Sequence, residues 1–313
     1  MTFRMATDED IPQITELLVS AFPRQARTDR FWLWANRAYP SVAVVAQVGG
    51  RIVGHYSFRS EEFMLGSKTL HGAYGQQAAV HEDYRDLKTA VALIREAQNM
   101  AAQICDFAYA FPNRSMAPVK ERLLEWTNAG VITAWGLDLS DYLNALAKHE
   151  SQAGLEVRRL RAPSTVAYRQ AGFAPAHTMV VAKDANWLRW RYLEHPVNHY
   201  AVFGAYEGEG LVGHIVAKVY LDGELLLGHI LELSSGEPAV WSLLRAAGKF
   251  FQFMKARQVV VWNEDFACRD LFARMGFEPT DRVTTLHVKP LRDTCPDLET
   301  VSWSFDMGCS DVF

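Results

Sequence analysis

Cysteine is scarce in this chain. Cys105, Cys268, Cys295 and Cys309 are too scattered to form a disulfide framework or a spaced metal-ligand set, so reduced thiols, a cytoplasmic setting and no metal site are expected. Long apolar runs are missing too. None approaches about 18 residues, so no membrane-spanning segment is expected. The first residues carry Asp8, Glu9 and Asp10 where a signal peptide would be apolar. There is no excess of basic charge. The 32 Lys and Arg against 36 Asp and Glu leave a net −4, which argues against a nucleic-acid partner while leaving room for a local basic pocket. With 20 Gly and 12 Pro, the chain is neither collagenous nor low-complexity. What is present is 49% apolar and 22% charged sequence, ordinary for a globular protein. The length of 313 residues corresponds to about two domains.

Periodicity places the elements. Ile11, Ile14, Leu18, Ala21 and Phe22 recur at helical spacing behind an Asp10/Gln13 capping pattern with Pro12 in the first turn. Gly49-Gly50 between 41–48 and 51–59 predicts a hairpin, and Gly66-Ser67 a second between 62–65 and 69–73. Residues 76–80 read as a strand that breaks at His81-Glu82-Asp83. A long helix then runs along Leu87, Val91, Ile94, Ala101 and Ile104, followed by a short buried strand at 107–111, a helix ending at Trp126 and a strand near 131–139. The pattern then repeats. Ile52-Val53-Gly54-His55 reappears as Leu211-Val212-Gly213-His214, and the Asn113–Trp126 stretch as Asn263–Phe277. Residues 1–145 and 186–313 are therefore expected to be two copies of one α/β fold, with 146–185 as the linking region.

The stretch Val80-His81-Glu82-Asp83-Tyr84-Arg85-Asp86-Leu87-Lys88-Thr89-Ala90 leads from a strand into a long helix, whose first backbone N–H groups and dipole favour an anion. On Val80, His81, Tyr84, Arg85 and Ala90 the chain resembles the GNAT superfamily of acyl-coenzyme A-dependent N-acyltransferases. In that family a glycine-rich loop grips the coenzyme A pyrophosphate. The inner glycines are Asp86 and Lys88 here. A carboxylate at 86 opposes phosphate, and Arg85 and Lys88 oppose the carboxylate. Phe111-Pro112-Asn113-Arg114-Ser115 resembles the stretch that meets the pantetheine arm in two-domain members, although Asn113 equally suits a helix N-cap. The second half has Ser234-Ser235-Gly236-Glu237-Pro238 at the corresponding loop and lacks Arg there, so the first half is the expected coenzyme site.

The resemblance implies a mixed α+β sheet fold in two tandem GNAT-like domains, with acetyl- or another acyl-coenzyme A as co-substrate. The implied cofactor-binding residues are Ala78, Ala79, Val80, Arg85, Asp86, Leu87, Lys88, Thr89, Ala90 and Asn113, with a backbone N–H among 78–80 facing the developing oxyanion. His55 and His71 are candidate bases, each also explained as a histidine satisfied within a sheet. The tyrosine acid typical of the family is missing: Phe272 stands at its place in the second copy, and the first runs Lys120-Glu121-Arg122-Leu123-Leu124-Glu125-Trp126. Glu61 and Glu62 read as a solvated hairpin edge. Trp190, Arg191 and Tyr192, with His229, are candidate acceptor-binding residues in the second domain. The Trp-Arg-Tyr helix and the ending Trp303–Asp311 resemble tandem members that acylate nucleotide-linked amino sugars. The same aromatics would also serve to cement structure.

The leading expectation is an N-acyltransferase acting on a small-molecule primary amine, foremost a nucleotide-linked or related amino sugar. An amino acid, polyamine or aminoglycoside acceptor is an alternative within enzymes, and a non-catalytic GNAT-fold binding protein an alternative of another class. Acyl chain length, acceptor and oligomeric state have no signal in the sequence.

Overall fold

Strands and helices alternate along the chain. The computed structural model describes residues 1–149, 155–161, 176–262 and 268–310, without the side chains of 237 and 238. The order begins β1 (Thr2–Met5), α1 (Ile11–Ala21), α2 (Asp29–Arg37), β2 (Ser41–Val48), β3 (Arg51–Leu65) and β4 (Lys68–Val80). It continues with α3 (Leu87–Ala101), β5 (Phe107–Ala110), α4 (Ala117–Leu124), β6 (Thr127–Asp138) and α5 (Leu139–Ala147). Then come β7 (Leu155–Arg159), β8 (Thr178–Val181), α6 (Ala185–Leu188), β9 (Ala201–Glu207), β10 (Gly210–Asp222) and β11 (Leu225–Ser235). The remainder is α7 (Glu237–Phe253), β12 (Gln258–Trp262), α8 (Arg269–Arg274), β13 (Glu278–Pro290) and β14 (Ser302–Ser304).

Two compact units result. The first is Met1–Val131 with Thr284–Ser302, and the second is Ile132–Val283 with Trp303–Phe313. The sequence reading put 132–145 with the first copy and 284–302 with the second. Strand pairing explains the difference. The end of β6 runs antiparallel to β12 in the second unit, from Gln258 opposite Asp138 to Trp262 opposite Ala134. The end of β13 runs antiparallel to β5 in the first, from His287 opposite Ala110 to Pro290 opposite Phe107.

In the first unit β1 to β4 form antiparallel neighbours and β5 joins β4 in parallel. Gly49 and Gly50 hold φ of 56° and 85°, the conformation a two-residue hairpin turn requires. The strands flanking Gly66 are longer than expected, β3 and β4 each running unbroken through the segments that the sequence separates. Alternation on β2 divides the core. Val42, Val44 and Ala46 meet Leu93, Ile94 and Ala97 of α3, whereas Ala43 and Val45 meet Ile14, Leu18 and Trp32 of α1 and α2. The expected Asp10/Gln13 cap of α1 does not form. Asp10 instead accepts from Thr7 and pairs with Arg4, which holds its carboxyl down at about 2, and Gln13 Oε1 accepts the Ile52 N–H.

The second unit builds the same local pattern. Gly54 faces Val80 and His55 faces Ala79 across β3 and β4; Gly213 faces Ser235 and His214 faces Ser234 across β10 and β11. Both third strands pair in parallel with the next, β4 with β5 and β11 with β12. Leu243, Leu244, Ala247 and Phe251 of α7 close the second core against Tyr142, Ile230, Val259 and Val261.

Candidate coenzyme and acceptor site

The short β5 covers only part of β4. Their parallel pairing runs from Gly72 opposite Phe107 to Tyr74 opposite Tyr109, while β4 continues to Val80 and directly into the turn before α3. The β3–β4 register also slips between His55 and Ser57, where Gln77 takes a φ of 54°. A bulge of this kind lifts the backbone of residues 77 and 78 off the regular ladder, beside the strand end where an N–H donor is expected.

Beyond Val80 the chain makes one tight helical turn at Glu82–Tyr84 and enters the 15-residue α3. Arg85, Asp86, Leu87 and Lys88 are exposed around its N-terminus, while Thr89 is buried. Asp86 caps the helix, accepting from the Thr89 N–H at 2.8 Å and the Thr89 hydroxyl at 2.9 Å. Those hydrogen bonds hold its carboxyl below the ordinary range. Arg85 Nε donates to the Val80 carbonyl at 3.2 Å. The helix terminus and two cations suit a diphosphate, and the Asp86 carboxylate stands where that anion belongs. The residues therefore fit the coenzyme with one built-in competitor. Asn113 is exposed at the entry to α4, and its Oδ1 accepts from the Met116 N–H and the Ser115 hydroxyl.

The two candidate bases do not converge. His55 is fully buried: Trp32 Nε1 donates to its Nε2 at 3.1 Å, and its Nδ1 lies 2.9 Å from the Gln77 carbonyl. Burial pushes it down to about 4, so it is neutral with both nitrogens engaged. His71 is exposed at the opposite end of β4, roughly 30 Å along the strand from Val80 at about 3.3 Å per residue. Glu61 corrects another expectation. It is buried, not solvated, and joins Arg59 and Tyr109.

In the second unit Trp190, Arg191 and Tyr192 are buried within a five-residue π-helical turn. Arg191 Nε donates to the Gly308 carbonyl at 3.0 Å, and its two terminal nitrogens reach the Ser310 carbonyl at 2.6 Å and the Tyr200 hydroxyl at 2.9 Å. Tyr192 donates to Glu232 at 2.8 Å. These side chains anchor the terminal segment; their geometry is that of cement. His229 is also largely buried and is pushed down to about 4 by burial, with Lys218 adding to the effect. Asn263 lies outside the described residues.

Sequence reasoning passed over two buried lysines, Lys183 and Lys120. Lys183 sits with Glu232 and Asp306, and His214 Nε2 lies 2.8 Å from Glu232. In the first unit Lys120, buried on α4, lies 3.3 Å from the Tyr56 hydroxyl and 3.5 Å from the centre of the Trp126 ring. Its position on the Met116–Lys120–Leu124 stripe was the available signal: a lysine at helical spacing among apolar neighbours.

The passage from β4 into the N-terminus of α3, with a parallel neighbour on β4, falls where the resemblance puts the coenzyme. Residues 2–123 match the family model described as Acetyltransferase (GNAT) domain. That match falls within the first unit. Solved structures extend the likeness over both units at the level of fold. A GCN5-related N-acetyltransferase from Anabaena variabilis has 12% identity and a TM-score of 0.68, with 93% of this chain and 73% of that chain covered. One from Kribbella flavida has 14% identity and a TM-score of 0.65, covering 92% and 70%. A tandem GNAT protein from the clavulanic acid biosynthesis pathway has 15% identity and a TM-score of 0.58, covering 94% and 99%. No curated protein matches the chain. GNAT acetyltransferases use acetyl-coenzyme A and act on small-molecule amines. Among the described residues, no helix is long and apolar enough to cross a membrane.

Proposed function

We propose that the first unit holds acyl-coenzyme A at the β4–α3 turn and transfers its acyl group to a primary amine. The observation that carries this reading is the run of β4, past the end of its pairing with β5 at Tyr74, into a long helix whose N-terminus is flanked by Arg85 and Lys88. The coenzyme supplies the acyl thioester. Arg85, Lys88 and the Leu87 and Lys88 backbone N–H groups hold the diphosphate, with Asn113 beside the pantetheine path. The backbone at the Gln77 bulge through Val80 presents an N–H toward the reacting carbonyl. His55 supports that bulge by bonding the Gln77 carbonyl, a positioning role suited to a neutral buried imidazole.

The narrower expectation of a nucleotide-linked amino sugar rested on the resemblance of the Trp-Arg-Tyr helix and the ending Trp303–Asp311; the burial of Trp190, Arg191 and Tyr192 removes these side chains as acceptor contacts and leaves a primary amine as the acceptor class. Asp86→Asn tests the coenzyme assignment. Asn caps a helix as well as Asp does, so the fold is preserved while the opposing charge is removed. Coenzyme A should bind the variant several-fold more tightly in a calorimetric titration. Unchanged affinity would place the diphosphate elsewhere.

A further inference from the structure

α4 offers no tyrosine to protonate a departing sulfur, yet it buries an amine. Lys120 is 4% exposed, and among the described residues it forms no ion pair. Its ammonium rests against the faces of Trp126 and Tyr56, 3.5 and 5.7 Å from the ring centres, and Nζ lies 3.3 Å from Tyr56 Oη. A lysine placed this way, with no carboxylate to compensate it, is costly to retain for structure alone. Its location is specific. A Cβ built on Gly75 would lie only 2.2 Å from Tyr56 Oη, so that hydroxyl lies directly against the backbone of β4. Gly75 is the first residue past Tyr74, where the parallel pairing with β5 ends. Glycine is required at that approach, because any side chain would displace the Tyr56 hydroxyl from its place against β4.

We propose that Lys120 and Tyr56 form a proton relay where the β4–β5 pairing ends, delivering a proton to the sulfur that leaves when the acyl group is transferred. The inference rests on the coenzyme site being in the first unit. As the acceptor nitrogen bonds to the acyl carbon and the carbon–sulfur bond breaks, the electron pair of that bond goes to sulfur. Tyr56 Oη gives sulfur its proton and takes one from Lys120 Nζ, leaving a neutral amine. The proton shed by the acceptor nitrogen goes to solvent, and Lys120 is recharged from solvent after the thiol departs. Lys120 acts through Tyr56 and is a positioning residue in this sense. Tyr56 is the titratable group that faces it from β3, and no charged group of β3, α3 or α4 offsets its burial, which pushes it down to about 7. A group that titrates near neutral pH both gives and regains a proton readily.

The relay is tested without knowing the acceptor. Coenzyme A is bound to the protein, and ionisation of its thiol is followed by thiolate absorbance across pH, with calorimetry giving the affinity. Beside a Lys120 ammonium the bound thiol should ionise at least one pH unit below the ordinary thiol value of about 8.5. Lys120→Met and Tyr56→Phe should each return the midpoint to or above that value while leaving coenzyme A affinity within about two-fold at pH 6, where the thiol is protonated both free and bound. Lys120→Arg should keep the low midpoint, since the charge remains. In protein labelled with ¹³Cε-lysine, the resonance missing from Lys120→Met should titrate near neutral pH. Identical thiol midpoints in wild type and Lys120→Met, or a Lys120 resonance titrating near 10.5, would overturn the relay with coenzyme binding intact. Absence of coenzyme A binding to the first unit, seen as affinity indifferent to Arg85 and Lys88, would overturn the relay together with the assignment it rests on.

Discussion

Lys120→Met should make the first unit more stable, and by an amount that depends on pH. The lysine titrates at about 7 in the fold and at 10.5 when free of it. Below pH 7 both states carry the proton, so the full penalty of a buried ammonium applies. Between those values the unfolded chain binds more protons than the folded one, and wild-type stability rises with pH. Above 10.5 the amine is neutral in both states and the penalty is gone. At about 1.4 kcal/mol per pH unit, the gap is at most roughly 5 kcal/mol, and the Trp126 and Tyr56 faces reduce it to about 3–4 kcal/mol. Met matches the stem and keeps the contacts along the Met116–Leu124 stripe. Urea unfolding followed by hydrogen exchange in α4 should show the variant ahead by that margin at pH 6, by less at pH 9, and level above pH 10.5. A gap that does not change with pH, or a wild type more stable than the variant at pH 6, would refute the assignment of an uncompensated buried lysine.

His55 is held at about 4 against an ordinary 6.5, so it opposes acidification: the unfolded chain takes up a proton that the fold refuses, and roughly 3 kcal/mol of stability should be lost as pH falls from 6.5 to 4. His55→Gln should flatten that slope in acid titrations read by circular dichroism. Arg191→Ala leaves two buried carbonyls and the Tyr200 hydroxyl without their donor and should cost the second unit about 3–5 kcal/mol. The expected signature is a lowered melting temperature and cleavage by protease within 303–310, with coenzyme A affinity unaltered. Lys183→Met strands Glu232 and Asp306 without their cation and should destabilise by a similar amount, while Lys183→Met with Glu232→Gln recovers part of the loss in the same melting assay.

Much of the fold was legible because its signals are local. Gly49-Gly50 marks a turn that only positive φ allows, and the apolar stripe from Leu87 marks the start of α3, which ends at Ala101 and not at Ile104. The repeat of Gly54-His55 as Gly213-His214 anticipates the matching registers of both units. What escaped depends on distant partners. That the ends of β6 and β13 belong to units other than those their sequence neighbours suggest follows from pairings more than 100 residues apart, which no window reveals. The site divides the same way. Asp86 stands just before the apolar stripe of α3, and in the structure it caps that helix. Arg191 and Trp190 read as ligand-binding because aromatics and Arg suit both a sugar phosphate and a core; only the terminal segment folding onto them decides it. Glu61 reads as solvated until Arg59 and Tyr109 are brought beside it.

The central claim is that coenzyme A binds at the α3 N-terminus of the first unit, and a pair of charge insertions tests it directly. Arg85→Glu with Lys88→Glu reverses the two cations at α3, while Gly236→Asp places a carboxylate at the N-cap of α7, where Gly236 has a φ of −74° that any residue adopts and no side chain caps the helix. Titrated calorimetrically with coenzyme A, the double variant of the first unit should lose at least ten-fold in affinity and Gly236→Asp should bind as the wild type does. Retained binding in the first case with loss in the second would move the coenzyme to the second unit and contradict the account.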